Sequence, residues 1–134
     1  MALVWNESYS VHVKQIDLQH QHFLGILNSL YDAIYASITK EKIEGILEEL
    51  EKYSQYHFET EEKYFKEFQY SDSEIHIQKH QEFREKIAAL RTKYADDSLA
   101  LSVDLVDYLE NWLVGHVATM DQKYVTCFTE HGLS

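Results

Sequence analysis

Residues 53–68, YSQYHFETEEKYFKEF, contain the spacing pattern from which the fold is predicted. His57, Glu61 and Phe65 recur at four-residue steps, which is the period of a helix that buries one face. Two of these residues are ionisable, and an unpaired ionisable group costs several kcal/mol, roughly, when it is buried. The stretch therefore predicts a core-facing helix whose buried face needs a compensating partner.

Three further segments have the same period, and together the four predict helices at roughly 17–37, 40–68, 72–94 and 98–127. The chain has no proline and only four glycines, so long uninterrupted helices are permitted. Short polar breaks make consecutive helices antiparallel neighbours, which predicts an all-α, up-down-up-down four-helix bundle. Residues 1–15 show no clean period and are expected to form an extended arm packed on a single domain, 1–134.

Composition excludes several classes of function. A formal net charge of −11 disfavours nucleic acid and anionic membranes as partners, because both would repel the surface. Cys127 is the only cysteine, so the chain can form neither an internal disulfide nor a thiolate-held iron–sulfur cluster. The N-terminus lacks the pattern of a signal peptide and no segment is apolar for long enough to span a bilayer, so we expect a cytoplasmic protein.

Seven metal-ligating side chains are predicted to meet at one end of the bundle. The predicted helices place them alternately near a helix start and a helix end, and antiparallel packing brings those ends together. Pairs spaced by four residues project from one face of a helix in adjacent turns and can chelate one ion. The seven residues are His20, His57, Glu61, His76, His80, His116 and Asp121.

The five-residue spacing of His116 and Asp121 does not suit a regular α-helix, because five residues advance about 140° beyond a full turn. A π-type segment matches a spacing of five and is frequent at functional sites. We therefore predict a local irregularity between these two residues.

The donor set indicates a pair of metal ions. Each histidine alone is more simply explained as a core residue paired with a carboxylate, but seven donors in one layer are not. A single zinc ion takes about four ligands, whereas imidazole and carboxylate together suit iron, and two acids can bridge two ions. Two six-coordinate irons with these ligands and one bridging oxygen keep one position open, as a reversible binder of a diatomic molecule requires.

The order H, HxxxE, HxxxH, HxxxxD resembles hemerythrin, and the bacterial branch of that family is the most similar. Further similarities are Val4-Trp5, the stretch 16–20 (IDLQH) and Trp112-Leu113. The resemblance implies that His76, His80 and His116 hold one iron, that His20 and His57 hold the other, and that Glu61, Asp121 and an oxo or hydroxo group bridge them. Three positions differ from the family's usual pattern, with Phe65, Ser71 and His12 in place of methionine, proline and glycine, respectively.

The function that the resemblance implies is reversible O2 binding, in a carrier, store or sensor that is not an enzyme. We expect a monomer that also takes azide or nitric oxide as ligands. An apolar pocket of Phe23, Phe58, Trp112 and Leu113 is expected to cover the open position on the two-histidine iron. Two alternatives remain open from the sequence: a di-iron enzyme acting on O2, peroxide or nitric oxide, and a metal-free helical interaction module.

Three histidines are set aside as surface residues. His22 lies two positions from His20 and so points to another side of the helix, His131 lies in the polar tail, and His12 lies in the arm.

Overall fold

The computed structural model describes residues Leu3–Ser134, and the regular secondary structure in this range is entirely helical. Met1 and Ala2 of the predicted arm lie outside the described residues. No helix between Leu3 and Ser134 has both the length and the hydrophobicity that a bilayer crossing demands. The α-helices are α1 (Lys14–Ala36), α2 (Lys40–Glu67), α3 (Ser73–Lys93), α4 (Ser98–Trp112) and α5 (Val125–Glu130).

The last predicted helix is a continuous rod that consists of α-, π- and 3-10-helical segments. α4 passes directly into a π-helix at Leu113–Met120, then into a 3-10 turn at Asp121–Tyr124, and then into α5. The rod thus extends three residues beyond the predicted end at residue 127, to Glu130. The predicted irregularity between His116 and Asp121 is confirmed, and it spans eight residues rather than a single bulge.

The four rods form the predicted up-down-up-down bundle. α1 packs against α2 and α4, and α3 packs against the same two helices. Thr39 caps the N-terminus of α2, and Asp97 caps the N-terminus of α4. The side chain of each accepts a backbone N–H of the first turn, which satisfies a donor that the helix itself leaves free. The short breaks between the rods bring successive helices back alongside each other.

The core consists of two apolar clusters on either side of a polar layer. The larger cluster includes Phe23, Phe58 and Leu113, and the smaller one includes Ile16 and Phe65. Along α1, His20 lies between Ile16 of the smaller cluster and Phe23 of the larger one. The polar layer is thereby shielded from water at both ends.

The N-terminal arm runs along α1 and is held by side chains of that helix. The Asp17 carboxylate accepts the backbone N–H of Val11 at 2.8 Å, and Asn28 exchanges two hydrogen bonds with the backbone of Leu3. The arm is not wholly extended, because Glu7–Tyr9 form one 3-10 turn, and α1 begins at Lys14, before the predicted boundary.

His12 adopts a left-handed backbone conformation, with φ of 60°. A non-glycine residue costs about 1–2 kcal/mol in this region, whereas glycine adopts it readily. This backbone conformation explains why the resemblance predicts glycine at position 12, where the chain has histidine.

We predict that His12→Gly raises the free energy of unfolding by about 0.5–1 kcal/mol, because relief of strain exceeds the extra entropy of glycine in the unfolded chain. Urea unfolding measures the change, with His12→Ala as the control that removes the ring but keeps the strain. An unchanged or lower stability of the glycine variant would contradict the prediction.

Candidate metal centre

All seven predicted donors converge in the polar layer, and each is at most 4% exposed. Asp121 presents Oδ1 to His76 Nε2 at 2.9 Å and to His116 Nε2 at 3.0 Å, whereas its Oδ2 lies 3.2 Å from His20 Nε2. Glu61 Oε1 lies 3.1 Å from His80 Nε2 and 3.3 Å from His57 Nε2. The two carboxylates therefore lie between the imidazoles, and each faces histidines on both sides.

The donors form two groups that could each hold one ion. The ligating atoms of one group, Glu61, His76, His80 and His116, lie within 4.8 Å of one another. The same limit holds for a second group of His20, His57, Glu61 and Asp121. Glu61 belongs to both groups, so a three-histidine position and a two-histidine position share a carboxylate.

Most of the atoms that face the centre of the layer have no hydrogen-bond partner among residues Leu3–Ser134. They include Nε2 of His20, His76, His80 and His116, Oε1 of Glu61 and both carboxylate oxygens of Asp121. Their mutual distances are those of ion pairs, but the angles are not those of hydrogen bonds. Buried polar atoms are rarely left in this state, because each costs about 1–3 kcal/mol. Cations held by the two groups would satisfy these atoms.

The environment keeps both carboxylates ionised. Burial and the neighbouring Asp121 raise the pKa of Glu61, but His57 and His80 outweigh both and lower it to about 2. Burial raises the pKa of Asp121, but His116 and the other facing histidines hold it well below its usual range. Both side chains are therefore acceptors at neutral pH, as metal ligands must be.

Two histidines differ in their protonation. Burial lowers the pKa of His57 to about 4, despite the attraction of Glu61, so its ring is neutral at neutral pH. Burial also lowers the pKa of His80, but Glu61 and Glu62 more than offset this and raise it to about 9. At neutral pH His80 thus holds a second proton unless a cation takes its place at Nε2.

The π-helix explains how Asp121 reaches the site. Widening the turns at Leu113–Met120 brings residues five apart onto one face, and the backbone N–H of Asp121 donates to the carbonyl of His116. The 3.0 Å distance between His116 Nε2 and Asp121 Oδ1 follows from this alignment.

An outer layer of residues contacts the seven donors. His57 Nδ1 donates to Gln19 Oε1 at 2.6 Å, and His80 Nδ1 donates to Glu62 Oε2 at 2.8 Å. The buried Tyr124 hydroxyl donates to Glu61 Oε2 at 2.5 Å. The spacing of residues in the sequence does not predict these three contacts, although Gln19 and Glu62 directly adjoin His20 and Glu61 in the chain.

The four predicted pocket residues all belong to the larger apolar cluster or pack against it. Phe58 stacks on His80 at 3.9 Å between ring centroids and lies 5.8 Å from His57, so it touches both groups. Trp112 stacks on His116 at 3.9 Å and is half-buried, which places it on the three-histidine side. Phe23 reaches the two-histidine side through Tyr53, whose ring is parallel to that of His57. Leu113 is buried at the start of the π-helix.

The three histidines that were set aside lie away from the centre and are exposed. His22 pairs with Glu49 at 3.1 Å, and His131 Nδ1 donates to the backbone carbonyl of Cys127 at 2.7 Å. All three therefore lie outside the two buried groups of donors.

Fold and site together define a four-helix-bundle metal-binding protein. A Hemerythrin HHE cation binding domain matches residues 11–128. The chain belongs to the hemerythrin family. Oxygen binding is the function that this membership and the donor cluster support.

Relatives match nearly the whole chain. The chain is 25% identical over 126 residues to a bacteriohemerythrin of Clostridium acetobutylicum, covering 91% of this chain and 98% of that protein. It is 32% identical over 122 residues to a myohemerythrin of Sipunculus nudus, covering 90% and 89%. A crystal structure of a mutant hemerythrin has the same fold, with a TM-score of 0.83, 24% identity and coverage of 96% and 99%.

We predict that Tyr124→Phe lowers the free energy of unfolding by about 1.5–3 kcal/mol, because a hydrogen bond to a buried carboxylate is lost. Urea unfolding of the metal-free protein measures the loss. Tyr70→Phe is the matched control, since it removes a hydroxyl from the same apolar cluster without touching the Glu61 hydrogen bond. Equal losses in the two variants would refute a specific role for Tyr124.

Proposed function

We propose that the protein binds O2 reversibly at two iron ions held in the polar layer. The single observation that carries the proposal is the arrangement of five imidazoles around two carboxylates that face both sides. When bound, a reduced iron pair supplies O2 with an open coordination position and two electrons. The protein then holds the ions, excludes water, and keeps the carboxylates and imidazoles in the protonation states that bind metal.

The residues present fit such a pair. His76, His80 and His116 would hold one iron, and His20 and His57 the other, with Glu61 and Asp121 bridging, along with an oxo or hydroxo group. Asp121 suits the bridging role because its two oxygens face different groups. Nitrogen and oxygen donors of this kind suit iron, and their number exceeds what one zinc ion takes.

We propose a binding protein rather than an enzyme. Di-iron proteins of the ferritin-like type use carboxylate-rich ligation with ExxH motifs. Here five of seven donors are imidazoles, and His57 is neutral by reason of its burial. Fewer anionic ligands stabilise high-valent iron less, which favours reversible binding over O2 activation. Azide and nitric oxide would compete for the same open position.

The apolar residues on the two-histidine side would protect the bound ligand. Phe23, Phe58 and Leu113 are each at most 3% exposed and belong to one apolar cluster, in which Phe58 contacts His57. A dry wall slows the entry of water and anions to the open position. Trp112 would complete the wall from the three-histidine side, where it stacks on His116.

We propose a cytoplasmic monomer with small diatomic ligands as partners. The single cysteine supports a reducing compartment. The acidic surface supports small ligands as partners, because it repels nucleic acid and anionic lipid.

Two irons per chain are expected after anaerobic reconstitution with Fe2+. His76→Ala should lower the bound iron to about one per chain or less, because the three-histidine position loses a ligand and the bridge is weakened. Iron counted against protein measures this, with His22→Ala as the matched control because His22 is exposed. Two irons retained in His76→Ala would contradict the ligand assignment.

Polarising the wall should shorten the life of the oxygenated form. We expect Leu113→Asn to retain both irons but to speed autoxidation by about tenfold, because water and anions reach the open position more easily. Optical decay of the oxygenated form measures the rate. Val114→Asn is the control, since Val114 is the next residue in the chain and is 64% exposed. Equal autoxidation rates for both variants and the unmodified protein would place the pocket elsewhere.

A further inference from the structure

Two consecutive glutamates of α2 contact opposite edges of one imidazole. Glu61 Oε1 lies 3.1 Å from His80 Nε2, and Glu62 Oε2 lies 2.8 Å from His80 Nδ1. Successive helix residues point about 100° apart, so one carboxylate can enter the polar layer while the next passes behind the ring. With Nε2 facing the metal positions, the neutral ring carries its proton on Nδ1 and donates it to Glu62.

The other outward hydrogen bonds from the donor histidines go to uncharged acceptors. His57 Nδ1 donates to the carboxamide of Gln19 at 2.6 Å, and His20 Nδ1 donates to the backbone carbonyl of Tyr9 at 3.3 Å. Hydrogen bonds to an ionised acceptor are roughly twice as strong as those between neutral groups. Among the described residues, the outer layer thus places its one anionic acceptor on the three-histidine side and neutral acceptors on the two-histidine side.

Arg84 connects this pair to the surface. Its guanidinium lies 3.9 Å from Glu62 Oε2 and 5.1 Å from the centroid of the Phe58 ring, and Phe58 in turn stacks on His80 at 3.9 Å. Arg84 and Glu62 are partly exposed, whereas His80 is fully buried. The cation therefore moderates the charge of Glu62 and packs on the aromatic ring that covers the same histidine.

We propose that Glu62 is a positioning residue that orients His80 and increases its electron donation to the three-histidine metal position, with Arg84 limiting the effect. An anionic acceptor gives the ring partial imidazolate character, which strengthens its bond to a metal ion and stabilises the more highly charged oxidation state. Gln19 and the Tyr9 carbonyl orient their histidines without adding charge. The two metal positions thereby differ in electron supply as well as in histidine count. This inference rests on the metal centre of the proposed function.

Fe2+ affinity tests the inference without reference to O2. We expect Glu62→Gln to weaken Fe2+ binding by about 10- to 100-fold in anaerobic competition with a chromogenic chelator, because the histidine loses an anionic partner. Glu59→Gln is the matched control, since it removes the same charge from an exposed position on the same helix. The midpoint potential of the iron-loaded protein should move to a more positive value in Glu62→Gln and stay unchanged in Glu59→Gln.

A spectroscopic signature separates electron donation from a merely structural role. In Zn2+-loaded protein labelled with 15N-histidine, the Nδ1–H proton of His80 should resonate downfield, move upfield in Glu62→Gln and move further downfield in Arg84→Gln. Opposite shifts require that Glu62 acts through its charge, because a general loss of packing would not reverse sign.

The outcomes of these measurements are distinct. If the unmodified protein takes up no Fe2+, the proposed metal centre fails. If it takes up Fe2+ but Glu62→Gln and Glu59→Gln agree in affinity, potential and proton shift, the metal centre stands and the role of Glu62 is overturned.

Discussion

Burial of seven ionisable side chains in one layer is the constraint on which the rest of the structure depends. Five imidazoles and two carboxylates lie between two apolar clusters, where water cannot solvate them. Their own mutual contacts are close but leave several atoms without hydrogen bonds, among them both oxygens of Asp121. Such a layer is tolerable only if its charges meet a counter-charge, which bound cations would supply.

The same requirement accounts for the irregular backbone of the fourth rod. His116 and Asp121 must both face the centre, and a regular helix would direct them apart. Wider turns at Leu113–Met120 resolve the conflict, because a π-helix aligns residues five apart. The 3-10 turn that follows buries Tyr124, and it leads into α5, which buries Phe128 in the smaller apolar cluster. The positions of His116 and Asp121 in the donor layer thus account for the irregular backbone of this rod.

The orientation of the donors depends on residues that contact them but do not themselves face the centre of the layer. Gln19, Glu62 and Tyr124 take up the outward-facing atoms of His57, His80 and Glu61, so each donor presents a fixed edge to the centre. Phe58 and Trp112 stack on two of the imidazoles and exclude water from them. Without this layer the same donors would lack fixed orientations.

The sequence by itself determined the fold class, the helical spans within a few residues and the convergence of the donors, because periodicity and short breaks are local properties of the chain. It also indicated the π-helix, because the spacing of His116 and Asp121 is visible in the chain. Only the tertiary structure decided that Asp121 turns its two oxygens to different groups and that Glu62 contacts His80. Those contacts join residues on different helices, and their distances depend on how the rods rotate and shift against one another. Helical period predicts which face of a rod is buried, but it does not fix that rotation closely enough to pair individual atoms.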